Sequence, residues 1–139
     1  NHKPKAILIF VANDIKGKNK NDLYSKNLSD RTPLEVKRLF KFTISEIRSI
    51  HKEIPIIAIE TTPTPSRWNA WEQISKANNL IMNFCNSKSN LHFIQTRDEF
   101  IGNNGLPIET FFVKDMLHLN EAGYSLWSKI IKANLKTIL

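Results

Sequence analysis

The stretch "KAILIFVAND", Lys5 to Asp14, decides how this chain is read. Its first half is a nearly continuous run of apolar, mostly branched side chains, the pattern of a strand buried on both faces of a parallel sheet. Its second half stops that run with Asn13 and Asp14, residues that end strands and open turns. A doubly buried strand needs helices on either side, so the first half predicts an α/β architecture. The second half sets two polar side chains at a strand's carboxyl end, where open parallel sheets bind their ligands.

Two further stretches, "IPIIAIE" (Ile54 to Glu60) and "LHFIQT" (Leu91 to Thr96), repeat the strand pattern, and helical patterns lie between. In "TPLEVKRLFKFTISEIRSIHK", Thr32 can cap, Pro33 suits a first helical turn and Glu35 completes a capping box. Val36, Leu39, Phe40, Ile44, Ile47 and Ile50 then recur at helical spacing. A second helix is predicted from about Arg67, burying Trp71, Ile74, Leu80, Ile81 and Phe84. A third begins after Asn120 and buries Tyr124, Trp127, Ile130, Ile131 and Leu135. Alternating strands and helices imply right-handed crossovers and a parallel sheet, hence a three-layer α/β/α domain. No repeat, low-complexity tract or composition break divides the chain, so residues 1–139 read as a single domain.

Composition narrows the function classes. Hydrophobic residues make up 41% and charged residues 24% of the chain, as in ordinary globular proteins. No apolar run reaches the about 20 residues that cross a bilayer. The N-terminal apolar run is short and lacks a following small-residue cleavage site, unlike a signal peptide. Cys85 is the single cysteine, so no internal disulfide forms, and it reads as a small buried hydrophobe. With the scattered histidines it gives no metal-ligand spacing, and no Gly-rich phosphate loop is present. No metal or organic cofactor is therefore expected. The net charge of +7 raises the question of a polyanionic partner. Its densest cluster, "KGKNKND" (Lys16 to Asp22), reads as a solvated loop without interleaved aromatic residues, so nucleic acid is not the expected partner.

In "VKDMLHLNEAGYSLW" (Val113 to Trp127), Asp115 stands three residues before His118 at the entry to the last helix. A histidine acting as general base needs a partner on one ring nitrogen to fix its tautomer. An aspartate three residues earlier, in a turn, can fold back to provide it. The bland alternative has Asp115 capping local backbone amides and His118 as a surface polar residue. Asn13 likewise either aims its amide at a developing oxyanion or simply ends a strand. In "TTPTPSRW", Arg67 can meet an anionic part of a substrate. Trp68 and Trp71 either wall a pocket or, as their positions favour, pack as core. His92 falls inside a strand pattern and reads as structural, and His51 at a helix C-terminus complements the dipole.

Taken together, "VANDI" after a buried strand and "DMLHLNEAGY" opening the final helix, with the alternation between them, resemble the GDSL/SGNH hydrolase family across essentially the whole chain. The resemblance implies that Asn13 is an oxyanion donor, His118 the general base and Asp115 its orienter. It implies hydrolysis of a small carboxylic ester, of a lipid or an acetylated sugar, without cofactor. It also implies a flavodoxin-like sheet, ordered 2-1-3-4-5, of which only strands three to five are present. Two departures stand out. Val11 occupies the glycine position of the family's G-x-N-D segment, which is expected to narrow the approach to Asn13 or alter the backbone path. No serine stands in a G-D-S or G-x-S-x-G context, so this chain holds no recognisable nucleophile. The serine is expected from a missing N-terminal segment bearing the first two strands, on a separate polypeptide or in residues ahead of Asn1. The family's frequent export favours the periplasm or exterior. Two other classes remain open: a non-catalytic α/β module that binds a partner through an open strand edge, and a basic module that contacts polyanions.

Overall fold

A computed structural model describes residues 3–17 and 30–139 of the chain. Most of the Lys16 to Asp22 cluster, together with Ser25 and Ser29, lies outside the described residues. Each predicted strand forms over four residues: β1 (Ile7–Phe10), β2 (Ile56–Ile59) and β3 (Leu91–Ile94). They pair in parallel in the order β1-β2-β3, with Ile7 opposite Ile56 and Ile56 opposite Leu91. Strand side chains alternate, so this register assigns them to two faces. Ile56, Ala58 and Leu91, with Ile7 and Ile9 beside them, pack against Phe40, Ile44 and Cys85 of the helices α1 (Pro33–Ile50) and α2 (Trp71–Asn86). Ile57, Ile59 and Ile94 pack against Ile131 of α4 (Glu121–Ile138), with Trp127 and Ile130 alongside. The three-layer α/β/α arrangement follows.

Local sequence accounts for where these elements begin. Glu35 N–H donates to Thr32 Oγ1 at 3.3 Å and Thr32 N–H donates to Glu35 Oε2 at 2.7 Å, the reciprocal capping box that starts α1. At its other end His51 is the C-cap. There the Arg48 guanidinium donates to the carbonyls of His51, Ile54 and Asn90 and ties α1 to the amino ends of the strands. Ahead of α2 the chain forms a 3-10 helix, Pro65–Ala70, so Arg67 sits in a tight turn rather than at the head of an α-helix. Two short elements escaped the sequence pattern: α3 (Arg97–Phe100) and a 3-10 turn, Glu109–Phe111. Cys85 is fully buried, and burial pushes its thiol up to about 12, consistent with packing rather than reactivity.

Two burial expectations are corrected. β1 is not covered on both faces: Leu8 is 45% and Phe10 47% exposed. On that face α4 lies over β2 and β3 and reaches β1 through Trp127, whose ring meets Phe10 edge-on at 5.4 Å. Among the described residues, the far edge of β1 has no strand partner. Tyr124 is 55% exposed rather than core, because the first turn of α4 borders a cavity at the strand ends.

Buried Glu60, immediately after β2, organises the carboxyl ends of the strands. Its Oε2 accepts the backbone N–H groups of Thr96 and Arg97 at 2.7 and 2.8 Å, and its Oε1 accepts Arg97 Nε at 2.6 Å. Arg97 continues to Ser75 Oγ and Asn79 Oδ1 on α2. One carboxylate thus joins β2, α3 and, through the arginine, α2. A buried ion pair persists only when its remaining hydrogen-bonding positions are also filled, as they are here.

Candidate functional site

Three stretches reach the carboxyl ends of the strands. Asn13 follows β1, Thr61, Thr62 and Thr64 follow β2, and His118 comes from the loop before α4. They share a cavity of about 280 Å³ with Arg67, Phe112, Tyr124 and Trp127. Asn13 and His118, from opposite ends of the chain, therefore meet at one site. The strand-end location is where an open parallel sheet presents ligands.

Asp115 does both things its sequence position allowed. Oδ1 accepts the backbone N–H groups of Leu117 and His118 at 2.8 and 2.9 Å, while Oδ2 lies 2.6 Å from His118 Nδ1. The first oxygen closes the turn, and the second engages the ring. Nδ1 being occupied, Nε2 is the nitrogen left to exchange a proton. The hydrogen bond with the His118 side chain, followed by the two backbone N–H bonds, holds the Asp115 carboxyl at about 2. It is accordingly an anion at neutral pH. Both side chains are exposed, 69% for His118 and 48% for Asp115, so the pair rests on short-range geometry rather than on a low dielectric.

The loop carrying this pair is pinned from several sides. Met116 adopts φ 56°, a left-handed conformation that a non-glycine residue holds only under constraint. Its N–H donates to Val113 O at 2.9 Å, and its carbonyl accepts Ser66 N–H at 3.0 Å. Val113 N–H in turn donates to His118 O at 2.9 Å. Asn120 caps α4 by accepting Gly123 N–H at 3.0 Å, and its Nδ2 donates to Thr110 O at 2.8 Å. Gly123 permits a close approach: a Cβ there would lie 2.3 Å from Phe111 O. The sequence pattern marks Asn120 only as the residue before a helix. Its cap-like identity and the glycine three residues later were the signals of a fixed entry.

At the other wall, Arg67 Nη2 donates to Asn13 Oδ1 at 2.9 Å and Nη1 donates to Ala12 O. Burial pulls the guanidinium below its usual value, with Asp30 opposing the effect. Arg67 lines the cavity as expected of a substrate contact, yet both of these hydrogen bonds go to the end of the first strand segment. Val11 is not among the residues that wall that cavity, has no positive φ, and lines an adjoining space of about 100 Å³ between β1, α1 and α2. Trp68 and Trp71 stack on each other at 5.8 Å and neither lines the shared cavity, in keeping with packing.

None of the described serines lines the cavity. Among the described residues no group of three or more His, Cys, Asp or Glu converges as a metal site, and no helix is long and apolar enough to cross a membrane.

No protein-family model matches the chain and no curated protein matches its sequence. Solved structures do. A Streptococcus pneumonia protein assigned as a platelet activating factor superposes with TM-score 0.73 at 20% identity, over 94% of this chain and 59% of that one. A Bacteroides fragilis protein assigned as an acylhydrolase gives 0.70 at 19%, over 98% of this chain and 64% of that one. A GDSL-like lipase from Bacteroides thetaiotaomicron gives 0.69 at 19%, with the same 98% and 64%. The fold is GDSL/SGNH-like. At these identities the likeness is one of fold. The chain spans less than two thirds of these neighbours' lengths, which fits the C-terminal portion of a GDSL/SGNH-like domain.

Proposed function

We propose that the complete protein is a carboxylic ester hydrolase of the serine type, acting on a small ester of a lipid or an acetylated sugar. The supporting observation is the convergence of Asn13 and the Asp115-anchored His118 on one cavity at the strand ends. A serine from a segment missing in this chain attacks the acyl carbonyl, and His118 Nε2 takes its proton. The Asp115 carboxylate keeps Nδ1 protonated and stabilises the imidazolium. Asn13 Nδ2 donates to the oxyanion of the tetrahedral intermediate, an interaction whose loss typically lowers kcat by about 10²–10³. His118 then delivers its proton to the leaving alcohol, and in the second half-reaction it activates the water that releases the acid. No step calls on a metal or organic cofactor.

The missing segment would also pair with the unpartnered edge of β1, bringing the nucleophile beside Asn13. The test is hydrolysis of p-nitrophenyl acetate and butyrate by the full-length protein. Wild type is expected to turn over both esters, and His118→Ala to abolish burst and turnover. Activity unchanged in His118→Ala would overturn the assignment.

A further inference from the structure

Arg67 carries the geometry that the proposed chemistry leaves unused. A guanidinium donates hydrogen bonds and accepts none. The Asn13 atom facing Arg67 Nη2 at 2.9 Å must therefore be the carbonyl Oδ1, and this leaves Nδ2 as the amide group turned away from Arg67. Without such a donor, a half-turn about the terminal torsion exchanges the two atoms at little cost. The exchanged amide would present a lone pair, not an N–H, to an oxyanion. The second bond, from Nη1 to Ala12 O, anchors the guanidinium to the backbone that carries Asn13. Donation into Oδ1 also polarises the amide and strengthens Nδ2–H as a donor.

The turn that holds Arg67 has a second attachment. Arg67 N–H donates to Thr64 O at 3.2 Å within the 3-10 helix, while the adjacent Ser66 N–H donates to Met116 O at 3.0 Å. Met116 lies between Asp115 and His118. A single short turn after β2 therefore holds both the Asn13 end and the His118 loop of the cavity.

We propose that Arg67 is a positioning residue that orients the Asn13 amide with Nδ2 toward the cavity, and not a group that binds substrate. This rests on the esterase reading for its catalytic consequence, and the experiment separates the two. In the full-length protein, Arg67→Met removes every donor while keeping most of the volume, and Arg67→Lys keeps a single donor nitrogen, the ammonium. With p-nitrophenyl acetate, Arg67→Met is expected to lower kcat by about tenfold or more, with KM nearly unchanged and partial recovery in Arg67→Lys. In an Asn13→Ala background the same substitution is expected to change kcat by less than about twofold, because residues acting through one another are not additive. Neutron diffraction from Arg67→Met crystals, which tells Oδ1 from Nδ2, is expected to show the Asn13 amide exchanged or divided between two orientations.

A raised KM at constant kcat, or losses that multiply across the double variant, would overturn the positioning role and mark Arg67 as a substrate contact. An unchanged Asn13 amide orientation in the Arg67→Met structure would overturn it as well; should that variant not fold, Arg67→Leu, which likewise removes every donor, serves for both measurements. If wild type cleaves no ester while Asn13 is displaced in the variant, the esterase reading falls and the positioning of Asn13 stands. If wild type is active and Arg67→Met matches it in kcat, the reverse holds.

Discussion

Asp115 and His118 are joined twice over three residues: Oδ2 to the ring Nδ1 at 2.6 Å, and Oδ1 to the His118 backbone N–H at 2.9 Å. The same carboxylate sets the ring and closes the turn that carries it. Asp115→Asn separates these roles. The carbonyl oxygen of asparagine takes over the backbone amides, which leaves its NH₂ facing Nδ1. The ring is then forced to carry its proton on Nε2, the wrong tautomer for a base. Under the proposed mechanism kcat falls by as much as about 10⁴, the scale of the equivalent change in a protease triad. Asp115→Ala should also lose thermal stability through the opened turn.

The pH dependence follows from the depressed Asp115 carboxyl. Its value falls from an ordinary 3.8 to about 2 on folding. The unfolded chain therefore binds the proton first as pH drops, so the stabilisation is complete above about 4 and is lost toward about 2. The melting temperature of wild type should exceed that of Asp115→Asn at neutral pH. The gap should close across that acid window, as followed by circular dichroism in parallel titrations. A gap that persists unchanged to the acid end would mean that the charge of Asp115 is not its source.

Glu60 and Arg97 make a different prediction, one of stability. Glu60 is fully buried and relies on Arg97 for its counter-charge, while two backbone N–H groups fill its other oxygen. Arg97→Met strands a buried carboxylate and should cost about 3–5 kcal/mol. Removing both charges should not restore wild-type stability, because Thr96 and Arg97 N–H would then lack their acceptor. Urea unfolding of the two variants measures both effects.

What the sequence made legible was periodic or local. Apolar-rich runs marked all three strands, and Thr32 with Glu35 marked the start of α1, because burial and capping are written in adjacent residues. Asp115 and His118 were legible for the same reason: their relationship spans one turn. Arg67 and Asn13 are 54 residues apart, and Glu60 and Arg97 are 37 apart. Neither pairing leaves a periodic trace, since each depends on how strand ends are juxtaposed by crossovers. The exposure of Leu8 and Phe10 was hidden for a related reason. Apolar periodicity reports what a strand is suited to be covered by, not whether the covering element reaches it.

Gly123 tests how tightly the His118 loop is held. The nearest atom to an added Cβ is the Phe111 carbonyl at 2.3 Å, a backbone atom that also accepts Asn120 N–H. Gly123→Ala must therefore displace either the first turn of α4 or the segment around Phe111, at about 1–3 kcal/mol. Helix propensity alone would predict a gain for alanine at this position. The clash should win, so a fall in the urea midpoint is expected, together with lower esterase activity in the full-length protein. A stabilised variant would show that α4 can shift without loss.

β1 presents an open edge among the described residues. Leu8 and Phe10 are half exposed on the α4 side. An unpaired apolar edge offers N–H and C=O groups to any other strand, and lysine on such an edge discourages that pairing. This chain expressed alone should self-associate with increasing concentration in sedimentation velocity, and Leu8→Lys should shift it toward monomer. In the full-length protein a strand pairing with β1 would cover the same edge. There Leu8→Lys should destabilise the fold instead, because it would bury a lysine beside apolar neighbours. Opposite signs in the two contexts are the signature of a completed sheet. The same response in both would mean that the edge of β1 stays open.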